Sequence, residues 1–389
     1  MLKTEPHKNN KNTMVSAFLN SEEKTHLWTY LHFTGISVRS RKTPKTCLRH
    51  IFRFWYPLFL HIALLPATAI LIVAYRFDSW RIDVVLSSGI VNVLSVVLWH
   101  MTYYKSRALS KLVAKIKGLY LSQANCWIGN FEAKCTNMVL LMHVLTPSVL
   151  ALLYVFVYTV GNTDNMWTYG YKFDGFPVIF KILLFANINI YESIQIIFPG
   201  ILTCAYCTLC HRLSKLLINH NKKLLKIRYD SQYMSSSHFV KEYFLILNAI
   251  ELLQKTFSEP IFLLFMKQFL HLFSLLACTV SFSIDQFTAG LVIESIIVTS
   301  TNGLSSILII IYASRITSNM KVVKHTYRRY KEKIILHSQS KVDAILQLAI
   351  DREIIELSAF DVVFFKKSLI LSLSGVILTY SLLIFQIVN

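Results

Sequence analysis

The sequence predicts an all-α membrane protein with seven transmembrane helices, its N-terminus in the cytoplasm and its C-terminus outside. Three observations carry that reading. The 389 residues are 54% hydrophobic and only 16% charged, against roughly a quarter charged in an ordinary soluble chain. The mean hydropathy is +0.48. The net charge of +19 is confined to short stretches between long apolar runs. Nucleic-acid binding, the other common reason for such a charge, is therefore set aside.

A helix needs about 20 mostly apolar residues to cross the hydrocarbon core. Seven stretches meet this: Phe54–Tyr75, Val84–Tyr103, Asn137–Val160, Val178–Leu209, Pro260–Ile284, Leu291–Ala313 and Ser368–Val388. The fourth is too long for one upright crossing, and its C-terminal part is expected to continue as a soluble helix. Pro66, Pro147 and Pro199 fall inside apolar stretches, where membrane helices tolerate them. The first 53 residues are polar and basic and the first apolar run is long enough to span, so no cleaved signal is expected.

Charge sets the direction. The N-terminal segment and those after spans two, four and six hold 35 Lys and Arg, whereas the opposite segments hold 3. Lys and Arg favour the cytoplasmic side, which places Asn389 outside. That sense is opposite to a G-protein-coupled receptor, and no Asp-Arg-Tyr follows span three and no Asn-Pro-x-x-Tyr lies in span seven. The run Asp351-Arg352-Glu353 reads as a solvated helix face.

The expected organisation is a cytoplasmic segment (1–53), six spans with a ligand pocket in their outer halves (54–313), a cytoplasmic helical anchor (314–367) and the last span (368–389). The longest outer segment, Gly161–Pro177, carries Trp167, Tyr169, Tyr171 and Phe173. Such aromatics belong at the headgroup level more readily than in a lid. No outer segment holds an Asn-x-Ser/Thr sequon. Inside, Leu213, Leu216, Leu217, Leu224 and Ile227 share a helical face. Val342, Leu346, Ile350, Ile354 and Leu357 form a second stripe at intervals of 4, 4, 4 and 3. Stripes of this period bury one side of a helix, so a cytoplasmic helical bundle is expected.

The seven cysteines offer no metal site. Cys204, Cys207 and Cys210 sit at the cytoplasmic end of span four, where thiols stay reduced and serve as small hydrophobes. No Walker loop, HExxH, GxSxG or nucleotide fingerprint occurs. Neither an enzyme nor a cofactor is expected.

Span seven carries the most specific signal. Ser368, Ser372, Gly375, Thr379, Leu382 and Gln386 recur at spacings of 4, 3, 4, 3 and 4, a small and polar stripe on an otherwise apolar helix. Such a stripe serves a close helix contact or faces water. Gln386 favours water, because a buried amide in hydrocarbon needs partners. The stretch Thr379-Tyr380-Ser381-Leu382-Leu383-Ile384-Phe385-Gln386-Ile387, three residues from the end, resembles the close of an insect gustatory receptor. There Thr-Tyr is followed by five apolar residues and Gln-Phe. Phe364-Phe365-Lys366-Lys367-Ser368-Leu369-Ile370-Leu371-Ser372 and Gly375 resemble the family's approach to that motif. Ile387 replaces a usual Phe, Lys366-Lys367 a less basic pair, and Ser381 stands where the sugar-sensing branch often has Glu. The rest of the chain matches that family in layout only.

The resemblance implies a taste receptor that is a ligand-gated cation channel of four subunits, either a homotetramer or a heteromer with related receptors. It implies a plasma membrane location in sensory neurons, with membrane lipids and a small-molecule tastant as partners. In the family the last helices line one pore, which here assigns Thr379, Leu382, Leu383, Phe385, Gln386 and Ile387 to pore and gate. Thr379, Tyr380 and Gln386 carry the motif. An apolar ring at the gate closes by dewetting.

Orientation and residue type mark a pocket among the outer span halves: Tyr154, Tyr158, Asn187, Tyr191, Glu294 and Thr299. Phe156, Phe185, Asn189, Glu192 and Asn302 lie on the same halves. Aromatics with a few polar groups make a small-molecule site, and ionisable groups in spans face a cavity or a partner. Packing for Tyr154 and Tyr158, and an interfacial place for Glu294, are the plainer alternatives. Lys267 and His271 could instead pair with Glu294. An odorant receptor of the same superfamily and a secondary transporter are the competing functions. A transporter commonly shows an internal repeat, and none is visible.

Overall fold

The computed structural model describes residues 26–36, 38, 47–77, 82–122, 130–158, 177–226, 232–281, 289–335 and 340–388. Ten helices and a small hairpin make up the described chain: α1 Leu27–Phe33, α2 Cys47–Phe77, α3 Ile82–Tyr104, α4 Ser106–Ser122, α5 Asn130–Tyr158, α6 Pro177–Leu225, α7 Gln232–Ser281, α8 Ala289–Ile335, α9 Ser340–Asp351, β1 Ser358–Ala359, β2 Val363–Phe364 and α10 Ser368–Val388. The outer segment with Trp167, Tyr169, Tyr171 and Phe173 lies outside the described residues, as does Ile227.

Six helices, α2, α3 and α5 to α8, are long and apolar enough to cross a membrane among the described residues. The last, α10, is 21 residues long and coincides with the predicted seventh span. Large apolar side chains face outward on these helices, including Ile62, Leu65, Met142, Phe156, Ile182 and Ile296. In water that surface would be a liability; in lipid it is the expected exterior.

Three helices run far beyond the bilayer. α6, α7 and α8 hold 49, 50 and 47 residues. At 1.5 Å per residue each is about 70 Å long, more than twice the hydrocarbon thickness. The predicted fifth span began at Pro260, but its helix already runs from Gln232, and Pro260 lies within it. The overhanging parts pack into the helical bundle that the stripes imply. Leu213, Leu216, Leu217 and Leu224 are buried. So are Cys204, Cys207 and Cys210, which remain free thiols. α6 is the axis of the fold, packing against α2, α3, α5, α7 and α8. It approaches α5 closely at Gly200, where an added Cβ would come within 2.0 Å of the His143 ring.

The second apolar stripe is corrected by the structure. α9 ends at Asp351, so Ile354 and Leu357 do not continue a helix. Leu357 is buried all the same, but from an extended segment that leads into the β1–β2 hairpin. The turn Ala359–Val362 is closed by Val362 N–H donating to the Ala359 carbonyl, and both central residues, Phe360 and Asp361, have φ of 54°. Left-handed non-glycine residues cost about 1–2 kcal/mol each, so the turn needs outside support. α7 supplies it. Gln254 Oε1 accepts from Ser358 N–H at 3.0 Å, Gln254 Nε2 donates to Ser358 Oγ at 2.6 Å, and Phe360 N–H donates to Ser258 Oγ at 2.8 Å. Apolar periodicity records burial; it could not register a turn imposed by bonds from residues about a hundred positions away.

Candidate functional site

Two of the predicted pocket residues meet. Tyr154 near the end of α5 donates a hydrogen bond from its hydroxyl to Glu294 Oε2 on the first turns of α8. Tyr154 is buried and Glu294 half-buried. Asn187 is buried on α6. Tyr191, also buried, turns away from this pair toward Ser88, Asn92 and Gln195. Thr299 is exposed. Five residues beyond Glu294, it sits about 140° round the helix at 3.6 residues per turn, so the structure does not bring it to the pair. The side chain of Tyr158 lies outside the described residues. The proposed pairing of Lys267 and His271 with Glu294 does not form: Lys267 Nζ donates to the Gln195 carbonyl, and His271 Nδ1 lies 3.3 Å from Asn302 Nδ2.

A larger polar cluster sits deeper. Gln195 Nε2 on α6 donates to Asn92 Oδ1 on α3 at 2.9 Å. The Glu192 carboxylate, one turn before Gln195, interacts electrostatically with the Lys267 ammonium on α7. Asn92, Glu192, Gln195 and Lys267 are all buried. Nearer the helix ends, Ser88 and Ser274 hydroxyls meet at 3.0 Å. On other faces Asn189 Nδ2 donates to Ser148 Oγ and Ser306 Oγ to Gln268 Oε1. Sequence reasoning named Glu192 and Lys267 but missed Asn92 and Gln195. Their signal was present: each is an amide within a predicted span, which must find a partner across a helix contact.

α10 contrasts with these buried spans. Leu369, Ile370 and Leu373 lean on the core, whereas Ser368, Ser372, Gly375, Thr379, Leu382 and Gln386 are exposed. Ser372 and Thr379 hydroxyls donate back to the carbonyls of Ser368 and Gly375 at 3.3 and 2.9 Å, four residues earlier. The side chains of Tyr380, Leu383, Phe385 and Ile387 lie outside the described residues.

A bundle of long apolar helices around α6, closed by one lightly packed terminal span, defines a class: a polytopic, nearly all-helical membrane protein of seven spans. Among solved structures the chain is similar to the insect olfactory receptor OR5 from Machilis hrabei in complex with eugenol. The TM-score is 0.69 at 14% identity, covering 96% of this chain and 99% of that one. A second structure of that receptor gives 0.66 at 15% identity, covering 95% and 98%. No family model and no curated protein matches the chain. Over nearly its whole length the chain thus shares the fold of that receptor.

Proposed function

We propose that this protein is a chemosensory receptor of the gustatory branch, acting as a ligand-gated cation channel whose pore forms from α10 of four copies. The observation that carries the reading is the exposed polar stripe of α10, on a chain that shares its fold with an insect olfactory receptor. One such helix cannot enclose a pore, but four around an axis can. Gln386 would form a ring of neutral amides there, able to coordinate a passing cation without fixing it. The similar receptor was solved with eugenol, which supports a small-molecule ligand here too, held near Tyr154 and Glu294. The overhanging parts of α6 to α8, with α9, serve as the cytoplasmic anchor between subunits in the plasma membrane.

Currents normalised to surface protein test the pore. Gln386→Arg should silence the current, and Gln386→Ala should change conductance, selectivity or resting leak. Unchanged permeation in both would remove Gln386 from the pore. Orientation is tested separately: a tag after Asn389 should be reachable on intact cells and a tag before Met1 should not. A volatile odorant is the second reading, favoured by the olfactory neighbours. A panel of airborne and water-soluble compounds on expressing cells divides the two.

A further inference from the structure

We infer that His61 on α2 and His100 on α3 form a two-histidine site for a divalent transition-metal ion of the zinc and copper class, independent of the channel reading. The two imidazole Nε2 atoms stand 3.1 Å apart. The ring centroids are 5.1 Å apart and the planes lie at 73°, so the rings meet nitrogen to nitrogen rather than stacking. Both histidines are exposed, on a surface that also exposes Leu58, Ile62, Leu65, Val93 and Val97. Ionisable groups on membrane spans are rare and usually mark function.

The hydrogen bonds fix which nitrogens are available. His61 Nδ1 lies 2.6 Å from the Pro57 carbonyl. A carbonyl only accepts, so Nδ1 carries the proton and Nε2 of the neutral ring holds a lone pair. Metal-ligating imidazoles are held in this way, the other ring N–H donating to a backbone carbonyl or a carboxylate. Without an ion, His100 Nε2–H donates to His61 Nε2. With one, the His100 proton moves to its own Nδ1, the ring stays neutral, and both Nε2 lone pairs face the ion. His100 is backed by Trp99, whose ring meets it edge-on with centroids 4.9 Å apart. Trp99 is itself held by donating from Nε1 to the Thr34 carbonyl at 2.8 Å.

The spacing suits one shared ion. Nitrogens about 2.0–2.1 Å from an ion stand about 2.9 Å apart at a right angle and about 3.3 Å apart at the tetrahedral angle. The observed 3.1 Å lies between the two. Imidazole nitrogen suits zinc, copper and nickel, whereas calcium and magnesium take oxygen. Among the described residues no third His, Cys, Asp or Glu joins the pair, which leaves the remaining positions to water or a lipid phosphate oxygen. Exposed Trp55 and Tyr104 mark the headgroup level. At 1.5 Å per residue His61 and His100 lie only about 9 and 6 Å inside them.

The test uses purified full-length protein in lipid nanodiscs, carrying no histidine tag and stripped of metal with a chelator. Zinc chloride and copper(II) chloride are titrated separately, with magnesium and calcium chlorides as controls. Equilibrium dialysis should show one zinc more per chain in the wild type than in the double variant His61→Ala with His100→Ala. The unfolding midpoint should rise with zinc concentration, because an ion that binds only the folded chain stabilises it by mass action. Magnesium and calcium should not raise it. Each single variant should weaken zinc binding by about tenfold or more, at least the loss that removing an outer partner causes. His325→Ala, an exposed histidine on the overhang of α8, should not. Should an alanine variant fail to fold in metal-free buffer, His61→Gln and His100→Gln replace it. Copper(II) paramagnetic resonance should show two nitrogen ligands in the wild type and one fewer in either single variant. Zinc uptake equal in wild type and double variant, or a copper spectrum unchanged by both substitutions, would mean that the pair is a hydrogen bond alone, and the inference falls.

Discussion

Two buried polar clusters, both of which include α6 and α7, differ in one respect: the first is fully paired and the second is not. In the overhanging part of α6, His220 is fully buried. One ring nitrogen lies 3.3 Å from Glu242 Oε2, the other 2.8 Å from the Tyr327 hydroxyl, and Lys223 Nζ donates to Glu242 Oε1 at 2.9 Å. The ring also stacks on Tyr243 with centroids 5.7 Å apart. This knot ties α6, α7 and α8 together, and its imidazole, carboxylate and phenol all have partners. Within the spans, Gln195 on α6 donates to Asn92 on α3 with the Tyr191 hydroxyl beside both, while Glu192 Oε2 makes no hydrogen bond. A satisfied network rigidifies, whereas a partly satisfied one costs stability.

Breaking the closed knot should have the largest effect. Glu242→Ala leaves His220 and Lys223 without their carboxylate. Removing one partner of a buried ion pair costs about 3–5 kcal/mol, and Lys223, partly exposed, places this case near the lower end. The unfolding midpoint of the purified protein should fall accordingly; an unchanged midpoint would mean that water already reaches the knot.

The same carboxylate should give the protein an acid-side slope. Burial raises its pKa, but hydrogen bonds from His220 and Lys223 outweigh that and pull it down to about 2 from 4.5. Glu242 lies on α7 about 27 Å before Pro260 at 1.5 Å per residue, well before the predicted fifth span. A depressed folded value means a contribution that is whole above about pH 4.5 and disappears as pH falls toward 2. The midpoint should therefore decline over that window in the wild type and less steeply in Glu242→Gln. Parallel slopes would break the assignment.

Tyr327→Phe removes only the hydroxyl facing His220 and should cost about 1–2 kcal/mol, one buried hydrogen bond with its partner left unmet. The smallest effect belongs to the open cluster. In the double variant Asn92→Ala with Gln195→Met, both members of the amide pair become apolar. Replacing both partners is close to neutral, so stability should stay within about 0.5 kcal/mol of wild type or rise. A loss larger than that of Tyr327→Phe would erase the contrast between the two clusters.

Most of the fold was legible because lipid makes one demand of every span. Each must be long, apolar and helical, and that demand is written locally. The seventh span, Ser368–Val388, is the same in sequence and structure. The reach of α6 beyond Leu209 followed from its length. The site was less legible. Tyr154 and Glu294 were chosen separately by residue type and outer position, and the fold joined them across 140 positions. Thr299 was chosen by the same rule, but helix rotation turned it outward. Asn92 was overlooked because its neighbours in sequence are apolar, while its partner lies 103 residues away.

By itself the sequence determined that the chain crosses a membrane seven times, which segments do so and, through its lopsided Lys and Arg, the direction expected of them. These are local properties, set by the solvent each residue must enter. The tertiary structure decided which polar groups meet: Lys267 with the Gln195 carbonyl rather than with Glu294, and Gln254 with the Ser358 turn rather than a continuing helix. Such pairings depend on the rotation and depth at which distant helices pack against α6, and no periodicity along one helix carries that information.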